Sequence, residues 1–103
     1  MKIEKYVTIF EALAQASRLK IFRLLVKAGP DGICPCELAE RLKMPRNTLS
    51  FHLALLTQAG LCRSERKGKN LFYRAQCGAV ADAAEFLLKD CCGCNMPQEV
   101  SHV

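Results

Sequence analysis

Between Gly29-Pro30-Asp31-Gly32 and Gly60 the chain has room for two short helices, because Met44-Pro45 interrupts the span. Proline lacks a backbone N–H and biases the residue before it away from helical geometry, and glycine beside proline favours a turn. The first of the two runs over about 35–43. Pro35 suits its first turn, Glu37 and Glu40 favour its positive end, and Leu38 and Leu42 are its expected buried positions. The second runs over about 46–59, with Leu49, Leu53 and Leu56 inward and Gly60 as its stop. Next, 61–66 and 71–76 read as extended segments flanking Lys67-Gly68-Lys69-Asn70, a hairpin signal.

The flanking segments are helical. Ile3, Val7, Phe10 and Leu13 recur at three-to-four spacing over 3–14, and Leu19, Phe22, Leu25 and Val26 do so over about 17–28. A last helix, about 78–90, carries Val80, Ala83, Ala84, Leu87 and Leu88. The order is α-α-α-α-β-β-α: a mainly α chain with a β-hairpin wing. Two short helices joined by a tight turn and followed by a basic hairpin describe a winged helix-turn-helix. The expectation is one domain over 1–94, responsible for DNA binding and dimerisation, and a flexible tail over 95–103.

Positive charge is concentrated where that fold would meet a polyanion. Residues 41–52 carry Arg41, Lys43 and Arg46 without an acid, and residues 61–76 carry Arg63, Arg66, Lys67, Lys69 and Arg74 against Glu65 alone. Charge by itself also fits a solvated face; joined to the helix-turn-helix and the wing it points to double-stranded DNA. The second helix of the pair would enter the major groove by its N-terminal residues. Arg46 suits guanine and Asn47 suits adenine, whereas Thr48 and Ser50 suit phosphate or base. Phe51 points away from the leucines, and His52 and Thr48 lie at the margins; all three join Arg46, Asn47 and Ser50 as candidate DNA contacts. In the wing, Arg66, Lys67 and Lys69 are expected on phosphates.

Seven cysteines are many for a chain of 103 residues that has no evident export signal. They cluster as Cys34 and Cys36, and as Cys91, Cys92 and Cys94, while Cys62 and Cys77 stand alone. An odd number of clustered cysteines in a helical chain favours metal or redox chemistry over a disulfide scaffold. Thiolates prefer soft ions. No Cys-X-X-Cys is present, so zinc-ribbon geometry fits poorly. Gly93 lets the chain leave the last helix so that Cys91, Cys92 and Cys94 can converge. Cys62 reads as a small buried hydrophobe. No apolar run approaches the ~18 residues of a membrane span, and the expected compartment is the cytoplasm. An enzyme is not expected: no acid/base pair or phosphate-cradling loop is evident, and His52 and His102 lack catalytic partners.

The segment Leu-Ala-Gln-Ala-Ser-Arg-Leu-Lys-Ile-Phe-Arg-Leu-Leu from Leu13 resembles the second-helix signature of ArsR/SmtB-family repressors. Thr48-Leu49-Ser50-Phe51-His52-Leu53 with Ala59-Gly60-Leu61 resembles their recognition helix, and Arg66-Lys67-Gly68-Lys69 to Tyr73 their wing. Phe51 departs from the pattern, since many members carry Arg or His there. The resemblance covers roughly 7–92. It implies a homodimer built mainly from the first and last helices, bound to an inverted-repeat operator and needing no cofactor as repressor. Leu87-Leu88-Lys89-Asp90-Cys91-Cys92-Gly93 resembles one branch of arsenic sensors, and Cys34-Pro35-Cys36-Glu37-Leu38 the start of the pre-recognition helix in another, with Ala39 in place of a third cysteine. The resemblance therefore implies trivalent arsenic or antimony as inducer, held by Cys91, Cys92 and Cys94, with Cys34 and Cys36 as a second candidate site. The alternatives are the same fold responding to zinc, cadmium or thiol oxidation, and a thiol redox or metal-carrying protein without a DNA function.

Overall fold

A computed structural model describes residues 3–89. The helices are α1 (Ile3–Leu13), α2 (Ala16–Ala28), α3 (Pro35–Leu42), α4 (Arg46–Gln58) and α5 (Cys77–Leu88), and the strands are β1 (Cys62–Lys67) and β2 (Asn70–Ala75). A 3-10 turn at Gly29–Asp31 separates α2 from α3. The strands pair antiparallel in the register Cys62 to Ala75 through Lys67 to Asn70. The architecture is a winged helix-turn-helix. Lys67 and Asn70 are the last ladder pair, so the loop is Gly68-Lys69 alone and not the four residues read from the sequence. Among the described residues no helix is long and apolar enough to cross a membrane.

Local chemistry sets the breaks. The Gln15 side chain caps α2 by accepting the Arg18 N–H at 3.0 Å. Lys43 ends α3 in the left-handed region at φ 52°, and its N–H reaches the carbonyls of Ala39 and Glu40. Gly32 lies at φ 77°, where a side chain would be strained, and a Cβ there would meet the Tyr73 carbonyl oxygen at 2.8 Å. That close approach seats the next residue. Ile33 and Tyr73 exchange both backbone hydrogen bonds at 2.9 Å, tying the α2–α3 connection to the wing.

The core gathers Ile21, Leu25, Leu38, Leu49, Leu56 and Leu61, all fully buried, with Ile9, Phe22 and Leu53 beside them. This confirms the inward leucines of α4, together with Phe22 and Leu25 of α2, Leu38 of α3 and Ala83 of α5, and revises other positions. Leu42 is only partly buried. In α2 the fully buried residues include Ile21, and Leu19 stays 47% exposed. In α1 the inward face is Tyr6, Ile9 and Ala12, whereas Ile3 and Val7 face outward. In α5 only Ala83 is fully inward; Leu87 is exposed, and Phe86 stacks on Tyr6 with centroids 4.1 Å apart. Tyr6 also donates to Asp82 at 3.2 Å, joining α1 to α5. Both helices are apolar on two sides, and a spacing rule cannot say which side meets this chain's own core.

Candidate nucleic-acid interface and thiol pair

Helix α4 presents two chemically distinct faces. Leu49, His52, Leu53 and Leu56 are buried, and Arg46, Asn47, Thr48, Ser50, Phe51 and Ala54 are exposed. The helix starts at Pro45, whose side chain makes no cap, and has no acid in its first turn, so no carboxylate offsets its positive end. Asn47 Oδ1 accepts the Thr48 N–H at 2.9 Å. Its amide must turn outward to meet an adenine edge with both groups. In the wing, Arg66, Lys67 and Lys69 are exposed, and the Lys67 ammonium sits 5.5 Å from the centroid of the Phe72 ring.

His52 needs correction. It does not belong to the outer face: it is 8% exposed, and its Nδ1 lies 3.4 Å from Arg18 Nη1. A guanidinium only donates, so this contact requires an unprotonated Nδ1. Burial, and then repulsion from Arg18, hold the imidazole below its ordinary pKa. Sequence reasoning misses Arg18, because no spacing rule connects it to a residue 34 positions away. It also misses a cationic face of α2. Lys20, Arg23 and Lys27 are exposed on the side of that helix opposite Arg18, and the helix carries no acid.

Of the candidate thiols, Cys34 and Cys36 are brought together. Cys34 takes the N-cap position of α3 in extended geometry, Pro35 opens the helix, and the two Sγ atoms lie 2.8 Å apart. The hydrogen bond from Cys36, followed by the Glu37 backbone N–H, lowers the Cys34 thiol below its ordinary range; the same sulfur–sulfur contact lifts Cys36. Cys36 is exposed and Cys34 half-buried, so the pair is open to solvent. Among the described residues no group of three or more His, Cys, Asp or Glu could hold a metal, so the pair supplies two donors. Cys62 is buried, its Sγ lies 3.3 Å from Thr57 Oγ1, and burial pushes its thiol up, the state of an inert structural cysteine. Cys77 is exposed at the start of α5. Cys91, Cys92, Cys94, His102 and the tail 95–103 lie outside the described residues.

The comparisons with known proteins agree with the fold. A family model described as a helix-turn-helix domain matches residues 13–65. An uncharacterized HTH-type transcriptional regulator of Methanocaldococcus jannaschii is 38% identical over 72 residues, covering 70% of this chain and 79% of that protein. The arsenical resistance operon repressor of Escherichia coli K12 is 35% identical over 81 residues, covering 79% and 68%. An ArsR-like transcriptional regulator from Rhodococcus sp. RHA1 superposes with a TM-score of 0.74 at 28% identity, covering 82% and 77%. A helix-turn-helix match over half the chain, joined to these relatives and to a winged architecture, places the protein in the ArsR family of transcriptional regulators.

Proposed function

We propose that this ArsR-family regulator is a homodimeric repressor that occupies an inverted-repeat operator and leaves it when trivalent arsenic, as arsenite, methylarsenite or the related antimonite, binds its thiolates. The observation that carries the reading is the thiol pair at the first turn of α3, the helix that leads into α4. Sulfur ligands that close on one soft centre there bear directly on the helix-turn-helix. The E. coli relative's role in arsenical resistance supports the same signal.

Cys91, Cys92 and Cys94 are the proposed ligands of a three-thiolate inducer. Cys34 and Cys36 are the second site and suit a ligand that needs two thiolates, such as a methylated arsenical. The proposed DNA surface is Arg46, Asn47, Thr48, Ser50 and Phe51 on α4, with Arg66, Lys67 and Lys69 on the wing. The proposed dimer face is the outer side of α1 and α5, where Ile3, Val7 and Leu87 are exposed. Three large apolar side chains left in water on two packed helices fit a surface covered by a second copy.

The test is release of a fluorescent fragment of the DNA upstream of the protein's own coding sequence. Reduced protein is titrated with arsenite, methylarsenite, antimonite, zinc, cadmium and peroxide, beside Cys91→Ser/Cys92→Ser and Cys34→Ser/Cys36→Ser. Release by trivalent arsenic that the first double variant abolishes supports the reading and the C-terminal ligands. Loss of response only in the second moves the site to α3. Release by zinc, cadmium or peroxide alone overturns the arsenic reading.

A further inference from the structure

Phe51 is the one large apolar side chain that α4 leaves in water. It is 61% exposed, whereas Leu49, Leu53 and Leu56 of the same helix are essentially buried. Its ring has a single aromatic neighbour among the described residues, His52, with centroids 5.6 Å apart and planes tilted by 60°. Its position on the helix is as informative as its exposure. Asn47, Ser50, Phe51 and Ala54 form one exposed stripe, polar at the N-terminal end and apolar after it. The stripe faces away from the core, on the helix whose start carries Arg46 and no acid.

We propose that Phe51 is a specificity-determining residue that reads the C5-methyl group of a thymine in each half-site. The inference rests on the operator-binding reading and deepens it. Thymine alone among the bases presents a methyl group in the major groove, and apolar side chains recognise it by contact. A phenyl ring can neither donate to nor accept from the other base edges, and it would leave them unpaired. Residues 47 and 51 are one helical turn apart, about 6 Å along the axis at ~1.5 Å per residue, so the methyl lies within about two base steps of the base under Asn47. Because Phe51 is exposed, truncating it removes little packing, and a loss of affinity reports on DNA rather than on folding.

The experiment replaces each thymine of the footprinted operator, one at a time, by uracil, which removes the methyl and leaves every hydrogen-bonding edge intact. The wild-type protein is expected to weaken roughly fourfold at one thymine position in each half-site, the size of one buried methyl group. Phe51→Ala is expected to bind the unmodified operator more weakly and to lose nothing further from uracil at that position. Phe51→Leu, which keeps an apolar contact, retains part of the sensitivity. Specific binding by the wild type that is indifferent to every uracil overturns the role of Phe51 and leaves operator binding standing. So does a Phe51→Ala protein that remains as uracil-sensitive as the wild type. Failure of the wild type to prefer its upstream DNA over unrelated DNA overturns both.

Discussion

Arg18 joins α4 to the α1–α2 corner: its Nη1 lies 3.4 Å from His52 Nδ1, and its Nε donates to the Ala12 carbonyl at 2.7 Å. Helix α1 ends at Leu13, and Ala12 lies in its last turn. A single guanidinium therefore fixes the buried imidazole of α4 against the end of a helix whose outer face is the proposed dimer surface.

The first prediction concerns this imidazole. With its folded pKa depressed, His52 binds fewer protons in the folded than in the unfolded state. Its contribution to stability is complete above the unfolded value of about 6.5 and is lost as pH falls through the folded value. Arg18→Met removes one of the two causes and leaves burial, so the His52 pKa should rise without regaining its ordinary value. A ring-nitrogen NMR titration reads this directly; an unchanged or lower pKa in the variant contradicts the account.

The thiol pair makes a kinetic prediction. Cys34, held low by the Cys36 hydrogen bond and the Glu37 N–H, should alkylate with iodoacetamide at lower pH than Cys36. Cys36→Ala should move the Cys34 profile up toward that of an ordinary thiol. Peptide mapping by mass spectrometry across a pH series separates the two sites.

Gly32→Ala tests the tie between the α2–α3 connection and the wing. The residue would carry a Cβ at φ 77° and ψ −176°, 2.8 Å from the Tyr73 carbonyl oxygen. Holding a non-glycine residue in that region costs ~1–3 kcal/mol. The expected result is a clear drop in the urea midpoint. A variant as stable as the wild type would show that the Ile33–Tyr73 bridge tolerates more movement than its geometry implies.

The wing predicts a salt effect. Arg66, Lys67 and Lys69 are exposed around a two-residue loop. Replacing Lys67 and Lys69 by Gln should lower the slope of log affinity against log salt by about 0.9 for each phosphate that is no longer neutralised, weakening operator and unrelated DNA alike. A weakening confined to the operator would instead assign these lysines to base reading.

The chain's own order of breakers and periodicities determined the element sequence, the position of the helix-turn-helix, the hairpin, and the inward leucines of α4. Those signals are local, carried by Gly29-Pro30-Asp31-Gly32, Met44-Pro45 and Gly60 and by neighbours three or four residues apart. Tertiary packing decided the rest. It chose Tyr6, Ile9 and Ala12 over Ile3 and Val7 as the inward face of α1, a choice that periodicity leaves open when a helix is apolar on two sides. It turned His52 away from the proposed DNA surface toward Arg18, since a marginal histidine goes wherever a distant partner can satisfy its ring. The convergence of Cys34 and Cys36 likewise depended on three-dimensional geometry, because Cys34 leaves helical geometry at the N-cap while Cys36 stays inside the first turn. Sequence spacing gives the angle between neighbours only within a regular element; where an element begins, backbone geometry decides which side chains meet.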